Sequence, residues 1–379
     1  MSLFGSNKLS YLGVDLGNAG IKIVELKNEN GRPRLVTYGF VDMSTEVINY
    51  STDAMEDMVA QLINQICAQA GTGTKKTISS LPSFSVFSSV ISLPEMKKNE
   101  LDQAIMWEAK KFLPLPIEEM SLDWKIIDRQ EVKKNGSNHD NKNTTGPFGD
   151  KQPEKNKSED PLTNSKIHLK ILLTASPKKN VNRYVNIFKK AGLDLIGLET
   201  ESFALERSLI GFEESPTMVV DIGAITSDLT IIEKGIPVLN RSVDSGGMAI
   251  TQTVARSLNI TLKRAEQFKR DIGFSNTGAQ SIPKVLENAI EPIINDIKYC
   301  FDLFSSHEEK GKKVEKIILT GGSAFLPNIS NFLSNLLNIK VVIGDPWARV
   351  IYPVELKPVL DELGPRFAVA VGLAMREIE

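Results

Sequence analysis

The sequence predicts an α/β protein in which two duplicated βββαβα units enclose a cleft and a small α+β subdomain is inserted into the first unit. The duplication is indicated by one pattern that occurs twice. An apolar strand ends in Asp-x-Gly, makes a short turn and resumes as a second apolar strand, at Asp15–Gly17 and again at Asp221–Gly223. The insert is indicated by a β-α-β-β-α-β order of predicted elements between the two patterns.

Hydrophobic spacing defines the elements of the first unit. A helix is predicted where apolar residues recur at helical spacing before Gly71, because glycine commonly ends a helix. The predicted elements are strands at Tyr11–Leu16, Ile21–Lys27 and Leu35–Phe40, a helix at Thr52–Ala70 and a buried strand at Lys76–Leu81.

The inserted subdomain is expected over residues 84–198. Its predicted elements are a strand at Val86–Ser92, a helix at Lys98–Phe112, strands at Leu122–Ile127 and Ile167–Ala175, a helix at Lys179–Ala191 and a strand at Asp194–Leu198. Residues 131–165 are polar and cannot bury enough surface to offset their ordering entropy, so they are predicted to be a disordered hairpin loop. Lengthening a loop this much costs only about 2 kcal/mol of closure entropy, which favours a neutral expansion over a binding element.

The second unit repeats the opening of the first. Its predicted elements are strands at Thr217–Asp221, Ser227–Glu233 and Pro237–Val243, helices at Met248–Leu258, Leu262–Ile272 and Pro283–His307, a strand at Lys316–Leu319, a helix at Pro327–Leu337 and a strand at Lys340–Ile343. The expected divisions are a first domain over 1–83, the insert, a return helix over 199–214, a second domain over 215–363, and a small-residue helix over 364–379 that crosses back to the first domain.

Composition excludes several classes of function. A net charge of −2 over 379 residues gives no electrostatic footprint for nucleic acid. Two cysteines far apart in the sequence favour a reduced, cytosolic protein, and three scattered histidines form no metal motif. No apolar run reaches the length of a spanning helix, and Met1–Ser10 is too short and polar for a signal peptide.

The Asp-x-Gly turns indicate phosphate binding. An Asp at such a bend can hold a hydrated Mg²⁺, and glycine lets backbone N–H groups approach a phosphate. Two such turns predict a pair of phosphate clamps that face each other, although each Asp could instead cap its own turn. Lys22 either reaches a phosphate or is an exposed strand lysine, and Asp228 is expected to make a structural hydrogen bond. At Gly246 and Gly247 the backbone could also approach a ligand.

The two hairpins, the Thr-Gly-Gly-Ser turn and the Ala-rich terminal helix resemble, in this order, the actin, Hsp70 and sugar-kinase superfamily. The resemblance implies ATP in the cleft, with Mg²⁺ held through water by Asp15 and Asp221. It also implies an adenine and ribose role for Glu266 and Lys269, which could equally form an ordinary surface pair. The implied phosphate and adenosine residues are Asp15, Gly17, Asn18, Ala19 and Lys22 in the first loop, Asp221, Gly223, Ala224 and Thr226 in the second, and Gly321, Gly322 and Ser323 beside the adenosine.

The segments Trp107–Pro116, Asp123-Trp124, Asp345–Trp347 and Phe367–Arg376 resemble the family of PilM, the cytoplasmic actin-like protein of type IV pilus assembly. This implies an ATP-binding scaffold at the inner face of the cytoplasmic membrane. Its partner would be the cytoplasmic N-terminal peptide of PilN, within the PilN–PilO inner-membrane subcomplex, and membrane contact would come only through that partner.

Trp107, Phe112 and Leu113 are candidate apolar contacts for the PilN peptide. The competing interpretation, favoured for a Trp on an amphipathic helix, places Trp107 in the core.

Turnover of ATP does not follow from the resemblance. Strong ATPases of the superfamily often carry Gly-Gly-Gly-Thr after the second Asp, whereas this chain has Ala224-Ile225-Thr226, so ATP binding with at most weak hydrolysis is expected and no catalytic residue is assigned. Two alternatives use the same fold: a small-molecule kinase, and a filament-forming ATPase similar to FtsA. The FtsA family tends to carry a C-terminal amphipathic membrane helix, whereas this chain stops at Glu377–Glu379. The oligomeric state stays open.

Overall fold

A computed structural model describes residues 9–43, 53–133, 165–275, 281–307 and 312–378, so most of the predicted polar loop lies outside the described residues. The strands are β1 (Ser10–Gly17), β2 (Gly20–Glu29), β3 (Arg32–Asp42), β4 (Lys76–Leu81), β5 (Phe87–Pro94), β6 (Met120–Lys133), β7 (Ser165–Pro177), β8 (Asp194–Thr200), β9 (Thr217–Ile222), β10 (Ser227–Glu233), β11 (Ile236–Val243), β12 (Lys316–Thr320) and β13 (Lys340–Ile343). The helices are α1 (Asp53–Ala70), α2 (Lys98–Ala109), α3 (Lys178–Lys190), α4 (Glu201–Leu205), α5 (Gly247–Leu258), α6 (Leu262–Ile272), α7 (Ser281–His307), α8 (Ile329–Leu337) and α9 (Lys357–Met375).

Two five-stranded sheets have the same topology. The first has the order β3-β2-β1-β4-β8 and the second the order β11-β10-β9-β12-β13. In each, short turns join three antiparallel strands, and a helical connection then brings a parallel strand to the other side of the first one. This shared order shows the duplication that the two Asp-x-Gly patterns predict.

The last two elements of the predicted insert contact the first sheet instead. Strand β8 pairs in parallel with β4, and α3 packs on α1 through the buried residues Tyr184, Ile187 and Phe188. Placing Asp194–Leu198 in the insert was therefore wrong. A strand–helix–strand crossover explains the arrangement, because α3 returns the chain to the edge of the sheet beside β4.

The sheet of the insert has three antiparallel strands in the order β5-β7-β6. Helix α2 covers one face and buries Leu101 and Ile105 against it. This helix ends at Ala109 rather than at Phe112. The backbone N–H groups of Lys111 and Phe112 bond to carbonyls three residues earlier, at 3.0 Å each, which tightens the last turn and ends the α-helix.

Helix α9 packs against β1, β2 and α4 at backbone contact distance. It begins at Lys357 rather than at Gly364. A Cβ atom built on Gly13 of β1 would lie 2.1 Å from the carbonyl oxygen of Ala370, and one on Gly372 would lie 1.8 Å from that of Ala204 in α4. The carbonyl of Pro365 accepts hydrogen bonds from the Gly321 N–H (3.1 Å) and the Thr320 hydroxyl (2.9 Å) at the end of β12. One helix therefore holds parts of both sheets.

Cys67 and Cys300 are both free thiols. Burial is the main cause that raises the pKa of each, to about 11 for Cys300. Within the described part of the chain, no helix is both long enough and apolar enough to cross a membrane.

The close approach of α9 can be tested with one substitution. We expect Gly372→Ala to lower the free energy of unfolding by about 1–3 kcal/mol, because its methyl group would overlap the Ala204 carbonyl. The matched control is Gly364→Ala in the same helix, where the nearest atom would lie at 3.4 Å, so the variant should be at least as stable as the parent. Denaturant unfolding measures both, and equal stabilities would contradict the packing described.

Candidate functional site

A cleft with a volume of about 1080 Å³ lies between the two large sheets, and both Asp-x-Gly turns open into it. It brings together every candidate ligand residue except Gly246. These residues are Asp15, Gly17, Asn18, Ala19, Lys22, Asp221, Gly223, Ala224, Thr226, Gly247, Glu266, Lys269, Gly321, Gly322 and Ser323.

The first hairpin pairs an acid with a base. Asp15 lies opposite Lys22 in the β1–β2 ladder, and the Lys22 Nζ is 3.1 Å from Asp15 Oδ2. Only 14% of the Lys22 side chain is exposed, so the alternative of an exposed strand lysine is wrong. Gly20 has a φ of 152°, and a Cβ there would lie 2.1 Å from the Val41 carbonyl oxygen, so the turn requires glycine.

The second hairpin pairs two acids. Asp221 lies opposite Asp228 in the β9–β10 ladder, at the positions that Asp15 and Lys22 occupy in the first hairpin. Burial, followed by the charges of Asp228 and Asp15, raises the pKa of Asp221 to about 7. Burial raises the pKa of Asp228 to about 6, although the Ser242 hydroxyl donates a hydrogen bond to it. The structural bond expected for Asp228 is present, and the residue also lines the cleft.

Glu201, the first residue of α4, is a further acid in the cleft wall. Its Oε2 accepts hydrogen bonds from the backbone N–H and the hydroxyl of Ser83, each at 3.0 Å. Burial and then the charges of Asp228, Asp15 and Asp221 raise its pKa well above the usual value. Sequence reasoning missed this residue. The pattern that could have identified it is an acid directly after β8. Strands β1 and β8 are both parallel to β4, so they end at the same edge of the sheet.

The carboxylates of Asp15, Asp221, Asp228 and Glu201 all line the cleft, and Lys22 pairs with the first of them. This excess of acids makes the cleft suited to a cation. Within the described ranges, no group of three His, Cys, Asp or Glu side chains is placed to hold a metal ion by itself. Mg²⁺ commonly keeps several waters and binds one or two carboxylates together with phosphate oxygens. The donor set fits an ion held in that way.

Gly246 packs closely against the second Asp-x-Gly turn and does not line the cleft itself. A Cβ on Gly246 would lie 2.7 Å from the Gly223 carbonyl oxygen. The next two residues donate their backbone N–H groups to this turn, Gly247 to Gly223 and Met248 to Ala224, at 2.8 Å each. The start of α5 is therefore fastened to the second Asp-x-Gly turn.

Lys269 is buried and fixes the start of α5 from the other side. Its Nζ donates to the Gly247 carbonyl and the Thr251 hydroxyl, at 2.9 Å each, and lies 2.7 Å from Glu266 Oε2. Burial lowers the pKa of Lys269 despite this partner. Burial by itself would raise the pKa of Glu266. The hydrogen bonds that Glu266 accepts from Lys269 and Thr251 outweigh burial, so its pKa is lowered. The alternative of an ordinary surface pair is wrong for Lys269.

The Gly-Gly-Ser turn after β12 crosses directly over the second acid. Gly321 has a φ of 84°, and a Cβ there would lie 2.3 Å from Asp221 Oδ1. Glycine is therefore required at this position by both conformation and space. Ser323 of this turn and Phe325, two residues later, also line the cleft.

The candidate partner residues lie on the insert and not in the cleft. Trp107 is 71% exposed and Phe112 is 55% exposed, whereas Leu113 is partly buried against the core of the insert. The core interpretation of Trp107 was therefore wrong. The Nζ of Lys110 lies 5.4 Å from the centroid of the Trp107 ring, a cation–π distance. Met106 and Leu115 are also exposed. The name α2 apolar face is used below for four exposed side chains of α2 and of the segment directly after it: Met106, Trp107, Phe112 and Leu115.

A family profile described as type IV pilus assembly protein PilM matches residues 13–140 and 159–378. The chain belongs to the PilM family. A solved structure titled PilM-PilN type IV pilus biogenesis complex superposes with a TM-score of 0.77 at 23% identity and covers 98% of this chain and 99% of that one. The structure of ethanolamine utilization protein EutJ from Carboxydothermus hydrogenoformans superposes with a TM-score of 0.53 at 16% identity, over 98% and 91% of the two chains.

The cell division protein FtsA of Staphylococcus epidermidis is 25% identical over 205 residues, which is 48% of this chain and 44% of that protein. The chain spans about half the length of the curated relatives it matches. The comparisons confirm the two-domain actin-like fold and the PilM family. The FtsA sequence matches less of the chain than the PilM profile does, so the FtsA-like alternative is not favoured over the PilM family.

The paired acids of the second hairpin predict a pH-dependent stability. With the pKa of Asp221 raised to about 7 from 3.8, the folded state binds more protons than the unfolded state between these values, so stability should fall as the pH rises from about 4 to 7. Asp221→Asn removes this loss, and we expect the ligand-free variant to be more stable than the parent at pH 8, by on the order of 1–3 kcal/mol.

Unfolding at several pH values without nucleotide or Mg²⁺ measures this effect. Asp302→Asn, an exposed acid on α7, is the control and should keep the pH profile of the parent. A parent protein whose stability does not change between pH 4 and 8, or an Asp221→Asn variant less stable than the parent at pH 8, would show that the acids are not forced together.

Proposed function

We propose that this chain is a nucleotide-binding scaffold of type IV pilus assembly that holds ATP with Mg²⁺ in its cleft and docks the cytoplasmic N-terminal segment of PilN. One observation carries the nucleotide part: two Asp-x-Gly turns open into a single cleft from opposite sheets. Membership of the PilM family supports a role in type IV pilus assembly. PilN is proposed as the partner because the similar solved structure is titled a PilM-PilN complex.

The phosphates are proposed to lie between the two turns. Gly17–Ala19 contributes backbone to one side and Gly223–Thr226 to the other. The Mg²⁺ ion would lie near Asp15 and Asp221 and reach them through water. Burial is the main cause that raises the pKa of Asp221, and the charge of the ion would offset the second cause, repulsion from Asp228 and Asp15. A triphosphate needs this ion here, because the acids would otherwise repel it.

The adenosine is proposed to lie at the other end of the cleft. There, Leu262, Phe325 and Leu326 provide apolar surface, and Glu266 provides a carboxylate beside it. An apolar wall with a few polar groups is typical of a site for a flat base and its ribose. Gly321–Ser323 would border the sugar from the Gly-Gly-Ser turn.

Binding rather than rapid turnover is proposed as the role of the nucleotide. The second turn carries side chains at Ala224 and Ile225, which limit how closely backbone N–H groups can surround a γ-phosphate. Any hydrolysis is proposed to be weak.

PilN is proposed to dock on the insert. The α2 apolar face is exposed, as expected for a surface that a partner covers. A second apolar site, a pocket of about 120 Å³ at the base of the insert, is lined by Ile21, Val59, Phe84 and Ile187, and it could receive a single apolar side chain of the peptide. Attachment to the inner face of the membrane would follow from PilN.

Thermal unfolding tests nucleotide binding. At about 100 times the dissociation constant, Mg²⁺–ATP should add about 2.7 kcal/mol of stability to the parent, a midpoint shift of roughly 2–4 °C. Asp15→Asn removes one of the two proposed Mg²⁺ contacts, so the shift relative to its own baseline should largely disappear. No shift for the parent at millimolar Mg²⁺–ATP would leave the cleft without its proposed ligand.

Calorimetry with a synthetic PilN N-terminal peptide tests the partner. We expect Trp107→Ala and Phe112→Ala each to weaken binding by roughly tenfold, because exposed aromatic anchors carry much of the energy of such interfaces. Phe212→Ala is the control, since Phe212 is 93% exposed outside the insert. Weakening by Phe84→Ala alone would place the peptide at the small pocket instead. No binding to the parent, with or without ATP, would refute the partner.

A further inference from the structure

We propose that Glu201 is a positioning residue that links the cleft to the base of the insert, so that Mg²⁺–ATP in the cleft fixes the turn where the insert begins. This inference rests on the proposed nucleotide function and adds its route to the partner-binding part. It concerns the turn Ser83–Ser85, which joins β4 of the first sheet to β5 of the insert.

The carboxylate of Glu201 uses one oxygen on the turn. Oε2 accepts both the backbone N–H and the hydroxyl of Ser83, at 3.0 Å each. The Ser83 side chain is buried, so it has little access to water as a substitute partner. No hydrogen bond to Oε1 of Glu201 is found among residues 9–43, 53–133, 165–275, 281–307 and 312–378, and the residue lines the cleft.

The same carboxylate responds to charge in the cleft. The negative charges of Asp228, Asp15 and Asp221 all act on it, in that order of size. A cation at these acids would cancel this repulsion, and its bound water could donate to the remaining oxygen of Glu201. A carboxylate held at both oxygens loses its freedom to rotate, and its bonds to Ser83 become more persistent.

The turn passes this restraint on to the insert. The Ser85 carbonyl accepts a hydrogen bond of 3.0 Å from the Ser176 hydroxyl of β7, the central strand of the insert. Phe84, between the two serines, lines the small apolar pocket together with Tyr184 of α3. Glu201 is therefore close to the cleft, the turn and the pocket.

Hydrogen exchange of the full chain, read by mass spectrometry, tests the link. Samples contain no ligand, Mg²⁺ alone, ATP with a chelator, or Mg²⁺–ATP. In the parent, we expect Mg²⁺–ATP to slow exchange both at the second turn, Ile222–Ser227, and at Ser83–Val86, by about tenfold at the latter. Glu201→Gln keeps the size of the side chain and removes its charge, so at a ligand concentration that slows Ile222–Ser227 as fully as in the parent it should lose the slowing at Ser83–Val86.

Two further variants separate the link from a general loss of structure. Glu25→Gln makes the same change at a buried carboxylate outside the cleft lining, where Glu25 accepts the Gly73 N–H at 2.7 Å, and it should keep both effects. Ser83→Ala removes only the hydroxyl bond and should reduce the slowing at Ser83–Val86. Ligand is added until Ile222–Ser227 is equally slowed in every variant.

The outcomes distinguish the two proposals. Slowing at Ile222–Ser227 without any at Ser83–Val86 in the parent would overturn the link and leave nucleotide binding in place. Glu201→Gln with the full effect at Ser83–Val86 would do the same. A parent with no slowing at Ile222–Ser227 would overturn nucleotide binding, and the link with it.

Discussion

The cleft depends on the contact of α9 with backbone from both halves of the chain. Gly13 of β1 and Gly372 of α9 each leave no room for a Cβ, so the helix lies closer to β1 and α4 than side chains would allow. The Pro365 carbonyl ties the same helix to Thr320 and Gly321 at the end of β12. Gly321 in turn packs directly against the Asp221 carboxylate, so a shift of α9 would change the surroundings of Asp221. The positions of both Asp-x-Gly turns therefore depend on close backbone contacts made by one helix.

Duplication gave the two turns the same shape but not the same charge. The partner of Asp15 across its ladder is a lysine, whereas the partner of Asp221 is another acid, Asp228. Like charges opposite each other destabilise a sheet, and burial followed by the charges of Asp228 and Asp15 raises the pKa of Asp221. The first hairpin thus carries its own positive charge, whereas the second has two acids facing each other in its ladder. Such an arrangement favours a ligand that brings a cation with it, and it sacrifices stability of the empty cleft.

The turn that joins the insert to the first sheet also contacts a residue of the cleft wall. The turn Ser83–Ser85 is fastened to Glu201 on one side and to Ser176 of the insert on the other. Exposed Trp107 of α2 and exposed Phe112 just after it lie on the insert, on a helix and a following turn whose inner side packs against the core of the insert. The architecture therefore separates a polar cleft from an apolar surface and joins them through a few hydrogen bonds, which is a small and testable basis for communication between them.

Local patterns in the sequence predict the order of most elements, the duplication and about half of the residues that line the cleft, because Asp-x-Gly turns, helical spacing and Gly-Gly-Ser have local physical causes. Features that depend on contacts between distant parts of the chain are visible in the three-dimensional structure alone. It placed α3 and β8 on the first sheet, since strand pairing is not encoded by strand pattern alone. It brought Glu201 to the acids, buried Lys22 and Lys269, and left Trp107 exposed. Burial and charge at each of these positions come from residues far away in the chain, and a single sequence does not show which of them will be neighbours.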